Sequence, residues 1–171
     1  MGQVKWFDRN FDFAFTQNIF PFILERLIGT PARLEEKFGL IRPELLERRV
    51  GDTWSIKENL GHLSDIEPLW QQRLEDIITN KVELRPTDLL NTKTTTANHN
   101  ALDVEELLLR FRQIRGETIR LLEGIDEVTI FKSALHPRLK TPMRTIDLFL
   151  FVADHDDHHL ACITELAKMA V

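Results

Sequence analysis

The stretch Asp154-His155-Asp156-Asp157-His158-His159-Leu160 sets two imidazoles one helical turn apart within an apolar stripe. Taking roughly 100° per residue, Leu148, Phe151, Val152, Cys162, Ile163 and Leu166 share one helix face. On the same count His155 and His159 lie within about 20° of the centre of that face, and His158 about 80° away at its edge. Residues at i and i+4 stand about 6 Å apart at Cβ, so two neutral imidazoles there can converge on one ion at about 2.0–2.1 Å. Two ligands make a weak site, and the candidates for a third are His62, His99, His136 and His158.

His158 points away from the face centre, and His99 falls in a polar stretch expected to be flexible. His136 precedes Pro137 and stays in play as a residue of a mouth loop. His62 is the strongest candidate, because it sits in the first turns of a long helix, on the flank of the Leu63–Ile66–Trp70 stripe, placed to reach a neighbouring helix. Asp65 shares that flank and is positioned to orient the His62 ring. Glu67 lies on the stripe itself and therefore requires a buried partner. Three neutral imidazoles leave positions open for water or substrate, as catalytic sites do. Zinc, nickel and iron all accept imidazole, and metal affinity is expected to fall as pH drops through about 6.5. The competing reading makes these hydrogen-bonded core histidines, with Asp154, Asp156 and Asp157 as solvated surface and Trp54 and Trp70 as core anchors. Cys162 reads as a small buried hydrophobe, with a redox-sensitive thiol beside the histidines as its alternative.

The elements that must position these residues are helical. Phe11, Phe15, Ile19, Phe22, Ile23, Leu27 and Leu34 recur at helical spacing from about Asn10 to Phe38, with a kink or break expected at Pro21 and at Gly29-Thr30-Pro31. Ser55 followed by Glu58 is a capping box that opens a second helix, carried by Ile56, Leu60, Leu63, Ile66, Trp70, Leu74, Ile77 and Ile78 to a stop at Thr79-Asn80. Lys81 to Asn100 is the longest irregular stretch, a length that points to a crossover or a functional loop. Asp103 caps a third helix from Val104 to Leu122, ended by Gly124. Ile125 to Arg144 is expected as loop over the mouth of the bundle, before a fourth helix that opens at Pro142 or Thr145 and runs to about Met169. No strand hairpin is expected, so the class is all-α, with one domain spanning residues 1–171.

Composition narrows the function. Apolar residues at 43% and charged residues at 29% are ordinary for a packed globular domain. A net charge of −5, from 27 acidic and 22 basic residues, argues against a broad phosphate-binding surface, so no nucleic-acid partner is expected. Arg110, Arg112 and Arg115 read as solvated helix surface. No apolar run approaches ~18 residues and the amino terminus lacks a leader pattern, so a cytoplasmic protein with no membrane partner is expected.

Two blocks, Trp54-Ser55-Ile56-Lys57-Glu58-Asn59-Leu60-Gly61-His62-Leu63 and Phe151-Val152-Ala153-Asp154-His155-Asp156-Asp157-His158-His159-Leu160, together resemble the DinB/YfiT-like superfamily. The match extends to Thr30-Pro31 and His136-Pro137-Arg138. The resemblance implies a four-helix bundle with a long crossover connection between the second and third helices. It also implies a divalent metal held by His62, His155 and His159; beside them Asp65 and His158 are the candidate supporting neighbours that the helix faces offer. The activities it implies are transfer of a low-molecular-weight thiol, which would serve as cosubstrate, or metal-dependent hydrolysis of a small-molecule substrate. The alternative is a non-catalytic stress-response or partner-binding bundle. A homodimer is compatible with such bundles.

Overall fold

The chain is described over residues 3–169 by a computed structural model. Four long helices dominate: α1 (Phe20–Leu40), α2 (Ile56–Ile78), α4 (Val104–Glu123) and α6 (Thr145–Lys168). Between them lie the short helices α3 (Thr92–Thr96) and α5 (Glu127–Phe131) and an antiparallel pair, β1 (Ser133–Leu135) and β2 (Pro142–Arg144). Helices α1 and α2 each pack against both α4 and α6, so the ring runs α1–α4–α2–α6. In that order α1 and α2 stand diagonally opposite, as do α4 and α6, while α2 and α4 are neighbours joined by the long connection that carries α3, and the fold is an all-α four-helix bundle with a crossover. Among the described residues no helix is long and apolar enough to cross a membrane.

Local chemistry sets the helix ends. The Ser55 hydroxyl accepts from the Glu58 amide at 3.1 Å while the Glu58 carboxylate accepts from the Ser55 amide at 2.8 Å, closing the capping box. The same carboxylate pairs with Arg49. Asp103 caps α4 by accepting from the Glu105 amide at 2.8 Å. At the end of α2, Asn80 turns the chain with φ 58°, a conformation asparagine tolerates better than most residues.

Three expectations are corrected. Apart from a 3-10 turn at Trp6–Asp8, the phenylalanine-rich start is not helical before Phe20. Pro21 stands in the first turn, where its missing N–H costs nothing, and begins α1 instead of kinking it. The residues before it form an irregular strap whose Trp6, Phe11, Phe13 and Phe15 pack on the core. Helix α1 then runs unbroken through Gly29-Thr30-Pro31. An interior proline costs about 3 kcal/mol, but burying Leu27 and Leu34 on either side returns about 1.5–3 kcal/mol each. Finally, the mouth segment holds a hairpin, with Ser133 paired to Arg144, Ala134 to Met143 and Leu135 to Pro142. Three-residue strands are too short to carry a period.

The apolar interior falls into two clusters, one around Phe20, Ile23, Trp70, Phe149 and Phe151 and one around Leu34, Leu60, Phe111 and Ile163. A polar layer lies between them. In it Arg115, expected on the surface, is 1% exposed and bonds both Glu67 oxygens at 2.8 Å. It also meets Asp156 at 2.5 and 3.0 Å, and Asp156 in turn accepts from Thr30 at 2.8 Å. Glu67 thus has the buried partner its position demanded. Asp156 is core, whereas Asp154 and Asp157 make half-exposed ion pairs with Arg9, Arg26 and Arg33.

Candidate metal centre

In the same layer α2 and α6 bring His62, His155 and His159 together, all buried, each offering a ring nitrogen within 4.8 Å of the others. His155 Nε2 lies 3.4 Å from His62 Nε2 and 3.2 Å from His159 Nε2. Four ligands placed tetrahedrally at 2.0–2.1 Å from an ion stand about 3.3 Å apart, so these separations suit a divalent metal.

The hydrogen bonds behind the rings decide where their protons sit. Thr94 Oγ1 donates its only proton to Asp65 Oδ2 at 3.0 Å, so it accepts from His62 Nδ1 at 3.0 Å. Asn59 is oriented by its amide donating to the Ser55 carbonyl at 2.8 Å, so its Oδ1 accepts from His159 Nδ1 at 2.9 Å. Both rings therefore present an unprotonated Nε2 towards His155. His155 Nδ1 is buried without a partner. Burial lowers the His62 pKa to about 4 and holds those of His155 and His159 well below 6.5, with the neighbouring imidazoles adding to the effect. Neutral lone pairs crowded at this distance repel unless a cation, or a single shared proton, lies among them. The donor set, spacing and protonation all fit a buried three-histidine site for a divalent metal.

Asp65 acts on His62 through Thr94 and not by direct contact. Its Oδ2 also bonds His99 Nε2 at 2.7 Å. The expectation that His99 lies in a flexible loop is corrected: it is 0% exposed, in a 3-10 turn packed on α2. Gly61 makes that possible, since a Cβ there would stand 2.3–2.5 Å from three atoms of the His99 ring. Thr94 and Asn59 escaped the sequence reading, and His99 was weighed there only as a ligand and set aside. Asn59 had a signal, one turn before His62 on the same helix, but Thr94 and His99 come from the crossover, and nothing local tied them to Asp65.

His158 stays at the rim, its Nδ1 2.6 Å from Gln3 Nε2 and its Nε2 3.7 Å from Cys162 Sγ. Cys162 is partly exposed, and burial raises its pKa, which disfavours the reactive thiolate. His136 does not join the cluster but lies elsewhere in the cavity described next.

The cluster opens onto a cavity of about 410 Å³ walled by Trp6, Trp54, Trp70 and Phe151. Trp54 lies 4.7 Å from the His62 ring, and Trp6 and Trp70 lie 4.9 and 5.8 Å from that of His155. The two tryptophans expected as core anchors therefore also form the walls of the cavity.

Solved structures share this architecture. YfiT from Bacillus subtilis, described as a probable metal-dependent hydrolase with an unusual four-helix bundle topology, is 20% identical with a TM-score of 0.79, over 94% of this chain and 93% of its own. A Streptococcus pneumoniae protein is 13% identical with a TM-score of 0.70, over 92% and 94%. The colibactin self-resistance protein ClbS, solved in complex with a dsDNA, is 15% identical with a TM-score of 0.66, over 85% and 94%. No curated protein sequence matches the chain. The ClbS complex overturns the exclusion of nucleic acid drawn above from net charge. A bundle of this fold contacts duplex DNA, and an overall acidic balance says nothing about one face. The DinB superfamily model matches residues 26–163, from the second turn of α1 to the last turns of α6 and across the whole histidine cluster, and the chain belongs to that superfamily.

Proposed function

We propose that the protein is a metal-dependent enzyme in which His62, His155 and His159 hold a divalent cation through Nε2, and that it transfers a small thiol to an electrophile bound in the aromatic cavity. The observation that carries this reading is the convergence of three neutral imidazoles at one end of an open cavity. A bound divalent cation would supply Lewis acidity and favour the ionised form of a thiol or water. Thr94 and Asn59 hold two of the rings in the tautomer that leaves Nε2 free, and the tryptophan walls exclude water and receive an apolar electrophile.

Thiol transfer ranks first because a thiol that reacts as thiolate needs no general base. Of the buried carboxylates near the histidines, Glu67 and Asp156 are engaged by Arg115 and Asp65 by Thr94 and His99, none of the three lines the cavity, and the walls beside the cluster are aromatic. Hydrolysis is the second reading, favoured by the likeness to YfiT. A non-catalytic bundle is disfavoured, because the mouth segment lines the cavity with His136 and Arg138 without filling it.

Protein purified without a histidine tag is expected to carry zinc, nickel or iron and to conjugate a low-molecular-weight thiol with an aryl halide, losing turnover on chelation. Thiol consumption that is unchanged by chelation would sink thiol transfer, and ester turnover in its place would select hydrolysis. Gly61→Ala tests the support of His62. Overpacking against His99 is expected to cost about 1–3 kcal/mol, more than the ~1 kcal/mol gained in helix propensity. Zinc affinity should fall roughly 10–100-fold as the Asp65–Thr94 support shifts, read by competition with a chromogenic chelator.

A further inference from the structure

The cavity has a second polar region. Arg73 follows His62 on α2 by three turns, about 16 Å of helix rise, and it lines the cavity while 1% exposed. Its Nε donates to the Arg85 carbonyl at 3.0 Å, and its Cζ lies 5.5 Å from the Trp70 ring centre. Among the described residues no carboxylate lies within ion-pair distance of it, and its buried Nη2 has no hydrogen-bond partner. Burial lowers its pKa only to about 10, so it remains a cation at neutral pH. A buried charge of this kind costs several kcal/mol unless something compensates it.

His136 sharpens the point. Its Nδ1 accepts from the backbone amides of Arg138 at 3.2 Å and Leu139 at 3.1 Å, so the single proton of the neutral ring sits on Nε2. That Nε2 lies 3.3 Å from Arg73 Nη1, a group that can only donate. Two N–H groups thus face each other beside an unsatisfied third. The histidine cluster crowds acceptors that want a cation; this region crowds donors that want an anion.

We propose that Arg73 and His136 form an anion subsite of the cavity, which takes a carboxylate or phosphate carried on an apolar or aromatic body whose reacting end lies at the histidine cluster. This rests on the reading of the cavity as a substrate site. The planar guanidinium fork matches either oxyanion. Trp70 sets the spacing, with its ring 5.5 Å from Arg73 Cζ and 5.8 Å from the His155 ring, so the acid group and the reacting end are separated by about the width of that indole. Arg138, its Cζ 5.3 Å from the Phe7 ring, adds positive potential along the same wall.

Calorimetric titration of 3-phenylpropanoate, 2-phenylethyl phosphate and the neutral 3-phenylpropanamide into zinc-loaded and chelator-stripped protein tests the subsite. At least one acid is expected to bind about tenfold or more tighter than the amide in both forms, and the tighter acid names the class. Arg73→Met and His136→Gln should each remove that preference while zinc content stays at the wild-type level. Equal binding of acids and amide overturns the subsite. So does a preference that vanishes on stripping, which would place the anion on the metal instead. If Arg73→Met fails to fold by circular dichroism, His136→Gln and the wild-type comparison decide. Because the preference is read in stripped protein, a histidine cluster that binds no zinc would sink the metal reading and leave this one standing.

Discussion

Alanine at His62, His155 or His159 is expected to lower zinc affinity by roughly 100–1,000-fold each, since structural sites of four ligands bind with about 10–16 kcal/mol and each ligand carries about a quarter of that. His158→Ala should retain the metal, because its ring is engaged at the rim by Gln3. His99→Ala should fall between, near tenfold, because His99 acts through Asp65 and Thr94. Equal retention in all variants would remove the cluster as the site. The pH dependence follows from the depressed histidine pKa values. Below 6.5 the unfolded chain binds protons that the fold refuses, so the metal-free protein loses stability as pH falls from 6.5 towards 4. The loss is on the order of 3 kcal/mol for His62 alone. Within the fold, protons compete for Nε2 only near the lower value. Metal release is therefore expected well below pH 6.5, closer to 4, which moves the onset down from that of free imidazole. Metal retained after dialysis at stepped pH measures it.

The second large effect is on stability. Arg115→Ala would leave the carboxylates of Glu67 and Asp156, both 0% exposed, without their counter-charge. Breaking one side of a buried ion-pair network costs about 3–5 kcal/mol, which for a chain of this size lowers Tm by about 10 °C or more. The deficit should narrow as pH falls, because protonation removes the uncompensated charges. Glu67→Gln, which keeps an acceptor for Arg115 and removes a charge that burial already disfavours, should cost much less. Thermal unfolding of the three proteins at neutral and acid pH separates these outcomes. A variant at Arg115 with wild-type Tm would mean that the layer is not holding the four helices together.

What the sequence made legible was local. Ser55 with Glu58, Asp103 and the Thr79-Asn80 stop fixed helix ends because capping is settled within one turn. What misled was also local. Phe11, Phe15 and Ile19 repeat at helical spacing, yet they belong to a strap, because aromatic rings can cover a core from an irregular backbone as well as from a helix. Arg115 sits in a run of arginines that reads as surface until two carboxylates from other helices meet it.

The sequence by itself determined that His155 and His159 share an apolar face, because a helix of 3.6 residues per turn leaves no other arrangement. It also determined that Glu67 needed a partner, because an unpaired carboxylate does not remain in a core. Only the tertiary structure decided which histidine joins that pair, that Thr94 and Asn59 fix the tautomers, and that Arg73 and His136 line the same cavity. Each of these depends on residues tens of positions apart meeting in three dimensions. Their contact is set by the α1–α4–α2–α6 order and the crossover, and neither leaves a periodic trace in the chain.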